Sequence, residues 1–377
     1  MSRCPGLLAL GVLLSAIFLS GCGTRPSSAT LEPVAATVEG SKPVSIVVAT
    51  TRERSETTPE TFTDGRARQV NYEQYGISIP PHHVSGSIEW PSKTPGNPET
   101  DFVVTSARPL EGSEFEQALT AGIRAGGDGN VVVFVHGYNT NYQEAVFRMA
   151  QLTADNDYKA QPVLFAWPSR GELTGYVADR ESTTYSRDYL EQTLNRIARI
   201  PSVRGIWVVA HSMGNWLAVE TIRQAKIRGT SPFLAKLDQV ALLSPDVDLD
   251  VFRSELDAIG RLRNPIIIAL SKDDKALAAS QTIAGDVPRV GNVLIDNPRE
   301  QAAIERYNLK VVDLSQLKGG DSLGHSKFIQ VIPQLRNVAL NSTGDHPGVA
   351  APGVFVANAA GRLATAPIRI GNALIGN

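Results

Sequence analysis

From Ile206 to Ala218 the chain reads Ile-Trp-Val-Val-Ala-His-Ser-Met-Gly-Asn-Trp-Leu-Ala. An apolar, β-branched run leads without a break into Ser212, which has Ala210 and Gly214 two residues to either side, and then into a helical pattern running to Arg228. This is the arrangement of a nucleophile elbow, and few folds can hold it. The serine must sit on a tight, strained turn that lifts its hydroxyl above a sheet. Strand and helix approach closely there, so the flanking residues must be small. Gly214 meets that demand, and Ala210, with a single methyl, departs only slightly from a glycine. The helix N-terminus behind Ser212 offers unpaired N–H groups and the positive end of a dipole to a developing oxyanion.

The rest of the chain supports a sheet covered by helices. Strand candidates are Val44–Ala49, Phe102–Thr105, Val131–Val135, Val163–Ala166, Ile206–Ala210, Val240–Leu243, Ile266–Leu270 and Lys310–Asp313. The later ones are continuous apolar runs, as required when helices cover both faces. Helical patterns lie between them. Ser113–Glu116 reads as a capping box, Leu190, Leu194, Ile197 and Ala198 share one face, and Lys275–Ala284 is a further helical stretch. The alternation predicts an α/β fold with a mostly parallel central sheet flanked by helices on both faces. Strands before Val131 are expected to pair antiparallel at an edge.

A second motif, Val131-Val132-Val133-Phe134-Val135-His136-Gly137-Tyr138-Asn139, is a strand ending in a polar loop. Gly137 lets the backbone turn an amide inward. The expected oxyanion donors are the backbone N–H groups of Tyr138 and Met213. His136 lies upstream of the serine and is expected to shape this loop.

A serine hydroxyl needs a base, and the base needs a carboxylate. The chain has six histidines, His82, His83, His136, His211, His325 and His346. In elbow enzymes the order is serine, acid, histidine, which leaves His325 and His346. His325 follows the last strand candidate, in Gly319-Gly320-Asp321-Ser322-Leu323-Gly324-His325, and is the expected base; His346 sits in the C-terminal tail. The acid is expected after Ile266–Leu270, in Ser271-Lys272-Asp273-Asp274-Lys275-Ala276-Leu277. Asp274 is the first choice, although it also stands where a helix N-cap would. Asp246, one strand earlier, is the alternative acid, and Asp273 a third. Trp167–Arg180 could form a short lid or acyl pocket, or simply a crossover.

The ends of the chain carry a different message. Arg3 precedes an apolar stretch from Leu7 to Leu19, too short to span a bilayer comfortably, which reads as a signal-peptide core. Leu19-Ser20-Gly21-Cys22 resembles the bacterial lipobox. That resemblance implies cleavage before Cys22, acylation of Cys22, and, with Gly23 in place of Asp after it, an outer-membrane anchor facing the periplasm. The only other cysteine, Cys4, would leave with the signal peptide, so the mature protein would have neither a free thiol nor a disulfide. The expected organisation is a signal peptide at 1–21, a flexible tether at 22–42, a catalytic domain at 43–340 and a Gly/Ala-rich tail at 341–377. The 36 basic and 38 acidic residues leave no positive excess to neutralise phosphates, which argues against a nucleic-acid partner. Oligomeric state is open.

Together these residues resemble the α/β-hydrolase superfamily of serine hydrolases. More narrowly they resemble a bacterial family of α/β-hydrolase-like proteins of unknown function. The marks are Ala49-Thr50-Thr51-Arg52, Phe134–Asn139, Ala166-Trp167-Pro168-Ser169, Ala210–Gly214, Ser244-Pro245-Asp246-Val247-Asp248, Ser271–Leu277 and Gly324-His325-Ser326-Lys327-Phe328. The similarity runs from Pro43 to Gln334, with Ala210 for Gly and Thr51 for a commoner Asn as departures. It implies the α/β-hydrolase fold and, within Ser-x-x-Asp-x-Ala-Leu, the acid at Asp274. The expected activity is that of a serine carboxylesterase with the triad Ser212, Asp274 and His325, no metal, no organic cofactor, and a small-molecule or lipid ester as substrate. The alternatives are an idle hydrolase fold serving as an envelope scaffold, or acyl transfer or peptide cleavage by the same residues.

Overall fold

The structure, a computed structural model, describes residues 25–35, 38–57, 61–156, 159–293, 298–317, 321, 323–330, 355–357 and 363–364. The strands are β1 (Lys42–Arg54), β2 (Phe62–Ile79), β3 (Val103–Leu110), β4 (Asn130–Val135), β5 (Gln161–Ala166), β6 (Gly205–His211), β7 (Leu237–Leu243), β8 (Ile266–Leu270), β9 (Leu309–Asp313), β10 (Phe355–Ala357) and β11 (Leu363–Ala364). The helices are α1 (Gly112–Arg124), α2 (Tyr142–Ala154), α3 (Tyr176–Arg199), α4 (Gly214–Arg228), α5 (Phe233–Lys236), α6 (Leu249–Ile259), α7 (Lys275–Ile283) and α8 (Pro298–Tyr307).

Among the described residues the strands form one sheet in the order β11-β10-β9-β8-β7-β6-β4-β5-β1-β2-β3. The run from β9 to β1 is parallel throughout. β2 and β3 add antiparallel pairing at one edge, and β10 and β11 at the other. The fold is therefore the α/β-hydrolase type with a mostly parallel sheet. Alternation along each strand divides the core. Val131, Val133 and Val135 pack with Phe115 of α1, Leu190, Leu194 and Ile197 of α3 and Leu217 of α4. Val132 and Phe134 face the other way, onto Ala145, Val146, Phe147 and Met149 of α2. Side chains on a strand point alternately to opposite faces. A strand covered on both sides must therefore carry a continuous apolar run, as β4 does from Val131 to Val135 and β8 throughout.

Topology fixes where a site can form. β4 lies between β5 and β6, so the chain leaves β4 in one direction and returns on its other side at β6. Such a reversal opens a crevice at the carboxyl ends of the two strands. The two sequence motifs sit at those two strand ends.

Three local expectations change. β2 was not foreseen as a strand. Its 18 residues include Asp64, Arg66, Arg68, Glu73 and Gln74, and its outer half is largely exposed, so it lacks the apolar run that marks the central strands. The first helix is capped two residues earlier than Ser113, with the Glu111 N–H donating to the Glu114 carboxylate at 2.8 Å. Part of the segment read as a tether is docked: Leu31 is buried, the Val34 N–H donates to Val104 O at 2.8 Å, and Arg25 reaches Glu144, Asn139 and Gly171. One buried leucine and one multiply bonded guanidinium hold a stretch whose composition alone reads as a linker. In the tail, Phe355–Ala357 pairs with β9. Residues 1–21, Cys22 and His346 lie outside the described residues.

Candidate active site

At the end of β6, Ser212 has φ +52°, in the left-handed region that a side chain with a Cβ enters at a cost of about 1–2 kcal/mol. The turn is held by its neighbours. The Ser212 N–H donates to Leu243 O at 3.0 Å, and the Asp246 N–H to Ser212 O at 3.2 Å. Asn215, which sequence reasoning passed over, is buried and donates from Nδ2 to both Ser212 O (2.8 Å) and Leu243 O (3.0 Å).

The elbow's small residues have a measurable reason. A Cβ on Gly214 would stand 2.3 Å from His136 O and 2.8 Å from Val135 O, both backbone atoms that cannot turn away. A Cβ on Gly137 would stand 2.8 Å from the Ser212 Cβ. The loop after β4 and the elbow after β6 thus touch through two glycines. Gly214→Ala is expected to push α4 off β4 and lower stability by about 1–3 kcal/mol, the range for overpacking a core. Thermal or urea unfolding measures it, and a loss under about 0.5 kcal/mol would contradict the contact.

His325 and Asp274 meet at this edge. The His325 Nδ1–H donates to Asp274 Oδ2 at 2.7 Å, and the Asp274 side chain is fully buried. Asp274 Oδ1 accepts the Leu277 N–H at 3.0 Å, so the same carboxylate caps α7 and orients the imidazole. One oxygen thus caps the helix and the other faces the imidazole. The His325 backbone is fixed as well: its N–H donates to Asp321 Oδ1 at 2.8 Å and its carbonyl accepts from Ser244 Oγ at 3.1 Å. Its ring packs 4.7 Å from that of His211, the residue before Ser212. Burial by itself would lower the His325 pKa. The hydrogen bond and charge of Asp274, with Asp321 and Asp246 farther away, outweigh it and leave the imidazole above its ordinary value.

The other two aspartates are engaged elsewhere. Asp246 accepts from Ser280 Oγ at 2.5 Å and from Tyr176 OH at 3.1 Å, with Arg289 Nε 3.4 Å away. Asp273 pairs with Lys327 Nζ at 2.7 Å. His211 stays neutral at ordinary pH, because burial, with the His325 imidazole and the Arg148 guanidinium adding to it, pushes its pKa far down.

The loop after β4 is braced from several sides. His136 is buried and stacked on Trp167 at 4.9 Å. Its ring nitrogens lie 2.9 Å from Gly137 O and 3.1 Å from Trp167 O, and Trp167 Nε1 donates to His136 O at 2.7 Å. Burial, aided by Arg52, lowers its pKa to about 3, so it shapes the loop as a neutral ring. Arg52, from the motif near the start, donates to Thr140 O at 2.9 Å. Of the N–H groups that follow, that of Thr140 is taken by Ser169 Oγ at 3.2 Å and that of Asn141 by Glu144 Oε2 at 2.9 Å, while that of Asn139 lies toward the Asp179 carboxylate. Among the described residues the Tyr138 and Met213 N–H groups have no acceptor.

The segment from Trp167 to Arg180 serves partly as crossover and partly as wall. Ser169 Oγ and Arg170 N–H both donate to buried Asp179, at 2.6 and 2.9 Å, which pins its base. Tyr176, Val177 and Arg180 then line a cavity of about 310 Å³ with Trp216 and Ile283. Trp216 lies one helical turn beyond Ser212.

A serine held in a left-handed turn, a histidine bonded to a buried carboxylate and a glycine-bearing loop with free N–H groups all gather at one strand reversal. No curated protein matches the chain. A family profile described as an alpha/beta hydrolase of unknown function matches residues 111–340, more than half of the chain, and spans the elbow, Asp274 and His325. The chain belongs to this family of α/β hydrolases.

Proposed function

We propose that the protein is a serine carboxylesterase in which Ser212, His325 and Asp274 form the catalytic triad. The observation that carries the reading is the 2.7 Å hydrogen bond from His325 Nδ1 to Asp274, at the same carboxyl end of the parallel strands as the strained Ser212. The bond fixes the tautomer that leaves Nε2 unprotonated, the form required of a general base. Ser212 Oγ attacks the ester carbonyl and His325 Nε2 takes its proton. The tetrahedral oxyanion forms against the N–H groups of Tyr138 and Met213, which cost no reorganisation because they are already free. His325 then returns the proton to the leaving alcohol. Water attacks the acyl-enzyme by the same steps, and His325 hands its proton back to Ser212. The Asp274 carboxylate stabilises the imidazolium. The signal-like stretch before Cys22, with Leu19-Ser20-Gly21-Cys22, supports a lipid anchor to the outer membrane on its periplasmic side.

A fluorophosphonate probe is expected to modify the protein at Ser212, identified from the labelled peptide. A panel of p-nitrophenyl esters of graded chain length, run beside amides and thioesters, is expected to show esters turned over fastest. The base works only when neutral, so kcat/KM is expected to rise with pH through a pKa above the ordinary histidine value. A profile that falls over that window, or labelling at another residue, contradicts the assignment.

A further inference from the structure

One cavity near the elbow has no part in this chemistry. It encloses about 340 Å³ between α2, the loop after β4 and the loop carrying His325. Gly137 belongs to its wall, so it runs to within one residue's width of Ser212. Its apolar surface comes from Ile88, Trp90, Phe134 and Phe328. Four charged side chains also face it: Arg25, Glu144, Arg148 and Asp321.

Three of the four are engaged. Arg25 donates to Glu144 through Nε at 2.9 Å and Nη2 at 2.6 Å, and Glu144 Oε2 also takes the Asn141 N–H. Asp321 accepts from the N–H groups of Leu323 and His325 and from Ser326 Oγ. Arg148 differs. Its Nη1 donates to Gln151 Oε1 at 2.8 Å, but among the described residues no carboxylate lies within ion-pair distance and Nε and Nη2 have no acceptor. Burial depresses its pKa, the mark of a guanidinium short of compensating contacts, against the pull of Asp321, Asp155 and Glu144. His211 lines the same cavity with a ring that burial keeps from taking up a proton.

We propose that this cavity binds an anionic end of the substrate, a carboxylate or phosphate group, through Arg148, an inference that rests on the serine-esterase reading. The unpaired side of the guanidinium presents two N–H donors in the fork that matches two oxygens of such a group. The apolar walls suit the methylene chain that joins the anion to the reacting ester. A neutral ester would displace water from these half-buried donors without replacing its hydrogen bonds, which is how a site built for a polar group rejects an analogue lacking it.

The test uses mono-p-nitrophenyl esters of straight-chain dicarboxylic acids of graded length. Their neutral alkanoate counterparts form one control series, and ω-phosphonoalkanoate esters form a second anionic series. One anionic series is expected to exceed its neutral counterpart in kcat/KM at a preferred length, and the better series names the anion. Arg148→Met is expected to lower that anionic-to-neutral ratio by about 10- to 100-fold, the value of a charge-assisted contact. Arg148→Lys, which keeps the charge but not the fork, should fall between. Equal rates for anionic and neutral esters at every length, or an equal fall for both on Arg148→Met, overturn the proposal. Binding is read separately in Ser212→Ala protein by calorimetry with the monomethyl esters of the same diacids and phosphonates. Saturable binding weakened at least about tenfold by Arg148→Met supports the proposal even without turnover. Neutral turnover without anion binding sinks it and leaves the esterase reading standing.

Discussion

Ser212→Ala is expected to reduce ester hydrolysis by about 10⁵- to 10⁶-fold, equivalent to roughly 7–8 kcal/mol of transition-state stabilisation. The residual rate would come from substrate binding and the oxyanion donors, which the substitution leaves in place. Fluorophosphonate labelling should vanish with it. The backbone at this residue allows a further control. Alanine keeps the Cβ that φ +52° strains, whereas Ser212→Gly removes it. The glycine variant is therefore expected to be as inactive as the alanine variant yet about 1 kcal/mol more stable, read from urea unfolding. Two variants equally inactive but of unequal stability would separate loss of the nucleophile from loss of the fold. Retention of more than about 1% of the rate in both would mean that another group attacks the ester.

Asp274→Asn should cost about 10³- to 10⁴-fold in kcat while leaving the fold nearly intact. The reason lies in the division of labour between the two oxygens of Asp274. Asparagine is as good an N-cap as aspartate, so the Leu277 N–H keeps an acceptor and α7 keeps its start. The oxygen facing His325 Nδ1 becomes an amide that can present N–H, which favours the wrong tautomer. The carboxylate that holds the His325 pKa up also disappears, so the acid limb of the pH profile should move to lower pH in the variant. Asp246→Asn is the control. It leaves the buried Arg289 without its charge partner and should destabilise the protein by about 3 kcal/mol. Its effect on kcat is expected to stay within about tenfold, since Asp246 contacts Tyr176 and Ser280 and not the imidazole. A larger kcat loss in Asp246→Asn than in Asp274→Asn would reverse the assignment.

Much of this could be read from local sequence because local rules produced it. Strands covered on both faces need an apolar run at their centre, so β4, β5, β6, β7, β8 and β9 announce themselves. An elbow must have small flanks, and Gly214 is small because two carbonyl oxygens of β4 and its loop leave no room for a Cβ. Chain order narrowed the histidines to two. The strand β2 escaped because an antiparallel edge strand with an exposed outer half needs no apolar run. Asn215 escaped because nothing about an asparagine early in a helix distinguishes a solvated side chain from one tying two strands together.

Which of Asp246, Asp273 and Asp274 meets the His325 imidazole belonged to the tertiary structure. All three follow strands at the same edge of the sheet, and each carries a plausible local role. What separates them is the path of the loop from Asp321 to Phe328, which puts the His325 ring over Asp274 and Lys327 over Asp273. The long helix α3 meanwhile brings Tyr176 to Asp246. The same long-range packing sets Arg148 against a cavity with half its donors unmet. Periodicity in a sequence reports which side of an element is buried, because that is a property of neighbouring residues. Which side chains then face one another across fifty or more residues depends on how the loops close, and only the folded chain records it.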